Sequence, residues 1–266
     1  MAFAWPLIWS PTSGLEPVQA PMVFALVLPF ILAVVIAELT GGGMDVRSLA
    51  LLGVLTAVTA VLRPLSAGTT GLELIFFPLV IAGRVFGAGF GFTLGATALF
   101  TSALLTGGVG PWLPYQMIAA GFVGLAAGLL PRAPGRLELV LLCGYGAFAS
   151  FAYGWLMDFA FWPFGIGPVS QFSFDPAASP TENLRVFVLY NVATSMGWNL
   201  GRAITTALAL ALLGPGLLRV LRRAARRASF ETAPLEASPA RSGSGILGTS
   251  RPVVPHGPVG EHTKET

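Results

Sequence analysis

The fold is decided around residues 107–117, which read Gly-Gly-Val-Gly-Pro-Trp-Leu-Pro-Tyr-Gln-Met. This glycine- and proline-rich turn separates two long apolar segments and is followed at once by hydrogen-bonding side chains. Irregular backbone in lipid would leave N–H and C=O groups without hydrogen bonds, so it persists only where protein or water covers it. The stretch therefore predicts the rim of a solute pocket in a helical membrane bundle, and a protein that binds or carries a small molecule.

The composition places the chain in the membrane class. Of its 266 residues, 54% are hydrophobic and only 10% are charged, whereas soluble domains contain about 25% charged residues. We therefore predict an all-α integral membrane protein, with close helix contacts where small residues repeat in 87–95 and 121–128. Windows of about 19 residues give these apolar segments: 21–39, 46–62, 72–86, 89–106, 112–130, 137–159 and 185–213.

Several kinds of chemistry are missing from these segments. Lys264 is the only lysine, so the chain has no Walker A motif, which requires a lysine beside the phosphates. Both histidines, His256 and His262, follow the last apolar segment, and the single cysteine, Cys143, lies in an apolar run. Histidine-based acid–base or metal chemistry is thus excluded from the spans. We predict no enzyme activity, no cofactor, no metal and no nucleic-acid partner.

The arginines indicate which ends of the spans face the cytoplasm. Five arginines between 219 and 227 directly follow the last span, so the positive-inside rule places the C-terminus in the cytoplasm. Counting spans backwards puts Arg132, Arg136 and Arg84 on the same side, and only Arg63 opposes the scheme. The predicted outer loops are 66–71, 107–114 and 162–183.

The parts outside the core follow from the same count. Residues 1–20 contain no basic residue and are predicted to be a short extracellular segment. Because a secretory signal begins with a positive region, 21–39 is predicted to be a retained extra transmembrane helix rather than a cleaved peptide. Residues 46–213 form the membrane core. Residues 214–266 are predicted to be a basic segment followed by a disordered cytoplasmic tail rich in Ser, Pro, Gly and Arg.

The last span carries polar side chains, which are costly in a membrane unless they are paired or hydrated. They indicate either a solute site or hydrogen bonds between helices. Arg202 cannot be neutralised, so it requires an acid, backbone carbonyls or the cytoplasmic interface. Arg63 and Glu73, which flank the 66–71 loop, are predicted to pair with each other. At about 100° per residue, one arc holds Asn191, Thr194, Ser195, Trp198, Asn199, Arg202, Thr205 and Thr206.

Two other outer helix ends carry aromatic and amide groups. The fifth apolar segment begins with Trp112, Tyr115 and Gln116. The sixth ends with Tyr153, Trp155 and Asp158. Each aromatic residue alone is also explained as an anchor at the membrane interface. Their convergence favours a partly apolar, hydrogen-bonding solute such as a vitamin. The predicted substrate-binding residues are Trp112, Tyr115, Gln116, Tyr153, Asp158, Asn191, Ser195, Trp198 and Asn199.

A family resemblance rests on the stretches 49–58, 62–64, 76–78, 82–87, 89–95 and 107–117. Together they are similar to the substrate-binding S component of energy-coupling-factor vitamin transporters. The Gly-Gly-Val-Gly-Pro-Trp turn with its following glutamine is the most specific part. The resemblance covers residues 46–213 and implies a six-helix S-component-like bundle, preceded here by one extra N-terminal transmembrane helix.

The resemblance also implies a function and partners. S components are not enzymes: they bind a micronutrient at the outer side under loop lids and dock on a transmembrane scaffold subunit driven by two ATPase subunits. Gly53-x3-Ala57 matches the small-residue patch that contacts the scaffold, and Arg202 is added as a third partner-binding residue. The chain is then expected in the cytoplasmic membrane as a multi-pass protein.

Two other hypotheses remain open from the residues alone. An autonomous ion-coupled secondary transporter requires intramembrane acids in a shared site, for which Glu38, Glu73 and Asp158 are the candidates. A structural membrane scaffold would make the polar residues of the last span purely interhelical.

Overall fold

The computed structural model describes Phe3 and residues 20–41, 46–66, 71–165, 170–175 and 177–231. Most of the predicted N-terminal segment, the tail from residue 232 and parts of the outer loops 66–71 and 162–183 lie outside the described residues. Within them the chain is all-α, as predicted. The elements are α1 Ala20–Thr40, α2 Val46–Ser66, α3 Phe76–Phe86, α4 Ala88–Thr106, α5 Leu113–Leu129, α6 Gly135–Gly165, α7 Pro180–Tyr190, a π-helical turn Asn191–Ser195 and α8 Met196–Glu231.

The lengths of these helices fit a multi-pass membrane protein. Four helical stretches in the described part of the chain are long and apolar enough to cross a membrane: Val46–Leu65, Ala88–Thr106, Gly135–Pro163 and Pro180–Arg226. Three apolar helices are shorter, at Val27–Glu38, Phe76–Phe86 and Leu113–Leu129. The predicted third span, 72–86, is helical only from Phe76 to Phe86. With 11 residues, α3 is shorter than the about 20 residues that a membrane span needs.

The centre of the bundle is the contact between α3, α4 and α5. A Cβ atom on Gly91 of α4 would overlap the carbonyl oxygen of Gly124 of α5, and a Cβ on Gly83 of α3 would overlap the same oxygen. Small residues allow such close backbone approach. The small-residue contacts predicted for 87–95 and 121–128 are confirmed, since these stripes face each other. The Gly53-x3-Ala57 spacing makes no such contact within the described residues, because both residues are exposed and a Cβ on Gly53 would meet no atom within 4 Å. Fully buried side chains around them include Phe76, Leu79, Ile81, Leu94, Leu99, Leu113 and Met117.

Several hydrogen bonds close the turn after α4 on itself. Gly107 ends α4 in the left-handed region with φ 65°, which glycine adopts without strain. The Gly108 amide donates to the Ala103 carbonyl at 2.9 Å, and the Leu113 amide donates to the Gly110 carbonyl at 3.0 Å. The Trp112 indole N–H donates back to the Gly108 carbonyl at 3.2 Å. The turn is therefore held partly by its own backbone.

A second irregular stretch, 71–75, enters the bundle beside α8. Gly71 has φ +70°, and a Cβ on it would lie 2.7 Å from the Cα of Gly201. The Thr205 hydroxyl donates to the Gly71 carbonyl at 3.3 Å. Gly201 and Thr205 thus cover this backbone, as irregular backbone among membrane helices requires. The stretch brings the residues just before α3 against the middle of the polar face of α8.

The glycine contact in the core makes a testable prediction. Gly124→Ala is expected to lower stability by roughly 1–3 kcal/mol, because the new methyl group overlaps the backbone of α4. Gly144→Ala is the matched control, since a Cβ at Gly144 in α6 meets no atom within 4 Å and removal of a helical glycine stabilises by about 0.5–1 kcal/mol. Thermal unfolding of both variants in the same detergent tests the sign difference. Equal melting temperatures for the two variants would contradict the contact.

Candidate functional site

Five polar side chains from three parts of the chain form one hydrogen-bonded network, which we call the polar network: Glu73, Asp158, Asn191, Asn199 and Arg202. The Arg202 Nε donates to Glu73 Oε2 in an ion pair, and its Nη1 donates to Asn199 Oδ1 at 2.8 Å. Asn199 Nδ2 donates to Asn191 Oδ1 at 3.4 Å, and Asn191 Nδ2 donates to Asp158 Oδ2 at 2.7 Å. Two acids and one arginine are thereby joined through two amides.

The network lies inside the bundle. Asn191 and Asn199 are 0% and 1% exposed, and the Arg202 and Glu73 side chains are 17% and 20% exposed. Asp158 lies five residues before Pro163, where the candidate span of α6 ends, which corresponds to ~8 Å of helix. The network therefore lies within the apolar span, where each unpaired member would be destabilising.

Glycines make room for the network on two sides. The contact between Gly71 and Gly201 brings Glu73, two residues after Gly71, to Arg202, one residue after Gly201. On α6, a Cβ on Gly154 would overlap both Asn199 Oδ1 and Arg202 Nη1. The polar side chains of α8 thus cross α6 in the space that the missing side chain of Gly154 leaves.

The π-helical turn aligns the two asparagines. In an uninterrupted α-helix, residues eight apart point about 80° away from each other, at about 100° per residue. A π-helical turn accommodates one additional residue, so Asn191 and Asn199 are aligned as if about two helical turns separated them. The same turn rotates Trp198 outward, where it is 46% exposed. The polar face that points into the bundle is therefore narrower than the arc predicted from constant helical geometry. Two residues of that arc, Thr194 and Trp198, are exposed.

A second polar pair lies close to the network. Arg63 Nη2 donates to Gln116 Oε1 at 2.8 Å. Tyr153, 5% exposed, lies near both groups, because the Arg202 guanidinium is 5.7 Å from its ring centroid and Arg63 acts on it electrostatically. The predicted pair of Glu73 with Arg63 is wrong, since Glu73 pairs with Arg202. A contact between residues 129 positions apart leaves no local signal in the sequence.

An aromatic layer lies where α6 ends and α7 begins, on α6, which carries Asp158, and on α7, which Asn191 directly follows. Phe187 of α7 contacts the rings of Trp155, Phe159 and Trp162 at 5.7, 4.7 and 5.7 Å between centroids. The Trp162 indole donates to the Phe172 carbonyl at 2.6 Å. This hydrogen bond fixes part of the predicted 162–183 lid against α6.

The Asn183 side chain holds the other side of the same loop. Its amide nitrogen donates to the Asp175 carbonyl at 2.8 Å, and its oxygen accepts from the Asp175 amide at 3.1 Å. Ser179 accepts from the Glu182 amide and begins α7, as expected of an N-terminal capping serine. The described part of the loop is therefore anchored at both ends.

The structure brings several of the predicted substrate-binding residues together. Asp158, Asn191 and Asn199 are in the network, and Tyr153 packs beside it. Ser195 lies in the same π-helical turn as Asn191, and its hydroxyl is 3.3 Å from the Thr194 hydroxyl. The structure places two tryptophans apart from the network, since Trp112 and Trp198 are 43% and 46% exposed. Tyr115 is 7% exposed and contacts the Phe161 ring at 5.2 Å, and Gln116 pairs with Arg63.

Four members of this region were not among the predicted substrate-binding residues. Glu73 and Arg63 were assigned to each other, and Gly154 has no side chain to attract notice. The fourth is Trp155, whose indole N–H is buried and has no acceptor among the residues that the structure describes. Tryptophan N–H groups usually find a partner when they are buried, so a buried indole beside Gly154 is the signal that only the structure supplies.

The groups of the site offer both directed hydrogen bonds and apolar contacts. Carboxylates, guanidinium groups and amides offer several donors and acceptors, and the aromatic layer offers apolar surface. In the described residues, no three His, Cys, Asp or Glu side chains meet as a metal site would require. Such a mixture suits a partly apolar ligand that forms a few directed hydrogen bonds.

The ion pair of the network predicts a non-additive double variant. Arg202→Gln leaves the Glu73 carboxylate among apolar helices without its cation, and removal of one partner of a buried pair costs roughly 3–5 kcal/mol. Adding Glu73→Gln to the same variant is expected to restore most of that loss, because position 73 then carries no charge for Arg202 to compensate. Unfolding in detergent measures both variants. A double variant as unstable as Arg202→Gln alone would show that the two residues are not coupled.

Comparison with known proteins supplies no relative from which a function can be taken. No protein-family model matches the chain, and no curated protein or solved structure matches it at a significant level. A function for this chain is therefore argued from its own residues and contacts.

Proposed function

We propose that this chain is the substrate-specificity subunit of an ATP-driven micronutrient importer of the energy-coupling-factor type. It binds a vitamin or vitamin precursor at the extracellular side and delivers it through a scaffold subunit and two separate ATPases. The core is residues 46–213 with six membrane helices, α1 is an additional helix, and the C-terminus is cytoplasmic. The observation that carries the proposal is the polar network, a set of hydrogen-bonding side chains beside an aromatic layer within apolar helices.

The network has features of a site that exchanges its internal bonds for a ligand. Its longest link, 3.4 Å between Asn199 Nδ2 and Asn191 Oδ1, joins two neutral amides and is the weakest step. A ligand amide inserted there would accept from Asn199 Nδ2 through its carbonyl oxygen and donate to Asn191 Oδ1 through its N–H. The buried Trp155 N–H would gain the acceptor that the described residues do not provide, which removes a penalty of about 1–3 kcal/mol.

The charged members hold this site in position. Arg202 is fixed by Glu73 and by the carbonyl side of Asn199, so the amides present a defined orientation before a ligand arrives. Tyr153 packs against Phe76 with centroids 4.9 Å apart and forms an apolar wall. Preorganised polar groups on rigid helices reduce the entropy lost on binding.

The surface of α2 supports the proposed docking on a scaffold subunit. Gly53 and Ala57 are exposed on α2, and a Cβ on Gly53 would meet no atom within 4 Å. Val54, Val58 and Val61 on the same helix are 61%, 49% and 49% exposed. An apolar helix face with small residues allows close approach of a second membrane helix, and ATP hydrolysis by other chains fits the absence of a Walker A lysine.

Ligand binding is tested with a panel of water-soluble vitamins and the purified protein. One member is expected to raise the melting temperature of the wild type. Asn191→Leu and Asn199→Leu are expected to reduce that ligand's affinity at least tenfold, since two directed hydrogen bonds are lost. Trp198→Leu is the control, because Trp198 lies on the same helix but points away from the network. No stabilisation by any vitamin, or equal loss in all three variants, would contradict the proposed site.

A second candidate function is an ion-coupled secondary transporter, and one observation favours it. Glu73 and Asp158, the acids that such a mechanism requires in a shared site, are joined through Arg202 and the two asparagines. Arg202 already pairs with Glu73, so only one of the two carboxylates remains to bind a coupling cation. This reading therefore ranks second.

Uptake into proteoliposomes separates the two functions. The energy-coupling-factor proposal predicts uptake only when scaffold and ATPase subunits and ATP are present, and none with this chain alone under a sodium or proton gradient. Gly53→Leu combined with Ala57→Leu is expected to abolish uptake and copurification of the scaffold while ligand-induced stabilisation remains. Gradient-driven uptake by the chain alone would establish the transporter alternative instead.

A further inference from the structure

A second group of charged side chains surrounds a cavity at the opposite end of the bundle from the polar network. The cavity has a volume of about 760 Å³ and lies where α3 and α5 end, α6 begins and α8 passes. Glu138, in its wall, is 20 residues before Asp158 on α6, so the two sites are ~30 Å apart, the thickness of a bilayer's hydrocarbon core. The charged residues of the wall are Arg84, Arg132, Glu138 and Arg222.

The wall of the cavity is positively charged because a single carboxylate serves two of its arginines. Glu138 Oε1 accepts from Arg84 Nε at 2.8 Å and from Arg222 Nη2 at 2.6 Å. Arg132 forms no hydrogen bond or ion pair within the described ranges. Three arginines and one glutamate leave the wall with two net positive charges. The arginines that the positive-inside count places on one side do meet at one end of the bundle.

The base of the cavity is rigid, whereas its rim is accessible. The Arg84 side chain is 7% exposed and also donates through Nη1 to the Leu130 carbonyl at 2.7 Å. The Arg222 side chain is 42% exposed, and Arg132 is exposed on the connection between α5 and α6. An anion entering the cavity would therefore meet Arg132 and Arg222 at the rim, while the Arg84–Glu138 pair at the base holds Arg222 in place.

Apolar surface continues outward from the cavity along the helices. Leu129, beside the wall residues Gly128 and Leu130, is 69% exposed, and Leu137, beside Glu138, is 60% exposed. Val140, two residues after Glu138 on α6, is 65% exposed. Free phosphate has no apolar part that could contact this surface, whereas the acyl chains of a lipid would cover it.

We infer that this cavity binds the phosphate headgroup of an anionic phospholipid, with the acyl chains lying along α5 and α6. Guanidinium groups match phosphate oxygens in geometry and charge, and basic pockets between membrane helices at the interface hold anionic headgroups. Arg132 and Arg222 contact the phosphate, and Arg84 with Glu138 positions Arg222. The inference requires only that the helices lie in a membrane, and it is independent of the vitamin-binding proposal.

Native mass spectrometry of the full chain tests the inference. The protein is transferred from micelles that contain equal amounts of phosphatidylglycerol and phosphatidylcholine. One phosphatidylglycerol per chain is expected to remain bound in preference to phosphatidylcholine, and Arg132→Gln is expected to reduce its retention roughly fivefold. Arg219→Gln is the matched control, because it removes the same charge from α8 at a residue outside the cavity wall. It is expected to leave retention unchanged.

Two further measurements keep the result unambiguous. Melting temperatures without anionic lipid are expected to be equal for wild type and Arg132→Gln, since Arg132 is exposed and holds no other group. Inorganic phosphate, added in detergent without phospholipid, is expected to give no stabilisation. Equal retention of both lipids, equal effects of Arg132→Gln and Arg219→Gln, or stabilisation by free phosphate equal to that by phosphatidylglycerol would each overturn the inference.

Discussion

The neutralisation of Arg202 is the constraint on which the rest of this structure depends. A guanidinium group cannot lose its proton in a protein, so a helix that carries one among apolar helices needs an acid, backbone carbonyls or the membrane interface, and here it has a counter-charge. Glu73 supplies it, but only because residues 71–75 leave the helical conformation and press Gly71 against Gly201. This ion pair is accommodated by three features: the late start of α3, the buried irregular backbone of 71–75 and the space at Gly154.

The rest of the polar network follows from that pair. Arg202 has donors left after it binds Glu73, and it directs one of them to Asn199. The π-helical turn then places Asn191 in line, and Asn191 reaches Asp158. The result is a network whose internal hydrogen bonds are satisfied without a ligand but whose central amide–amide bond is long. A site of this kind is stable when empty and still offers a step at which a solute can enter.

Features that depend on neighbouring residues, such as helix positions, could be predicted from the sequence. Features that depend on packing between distant residues could not. Apolar windows located the membrane helices α1 to α6 and the first half of α8, but they missed the start of α7 at Pro180 and the extension of α8 to Glu231. Arginine positions grouped Arg84, Arg132 and Arg222 at one end. The π-helical turn was not foreseeable, because Asn-Val-Ala-Thr-Ser has no composition that distinguishes it from an α-helix. That one turn decides that Asn199 points inward and Trp198 outward. The partner of Arg202 was misassigned, since pairing across 129 residues depends on the packing of two glycines.

The central claim is that the polar network is a solute site rather than only a contact between helices. The most direct measurement is identification of small molecules released by denaturing wild-type protein that has been purified gently from cells supplied with a mixture of vitamins. The account predicts one organic molecule per chain, partly apolar and bearing carbonyl or amide groups that match Asn191 and Asn199. Protein that is folded and releases no such molecule, whatever vitamins are supplied, would contradict it.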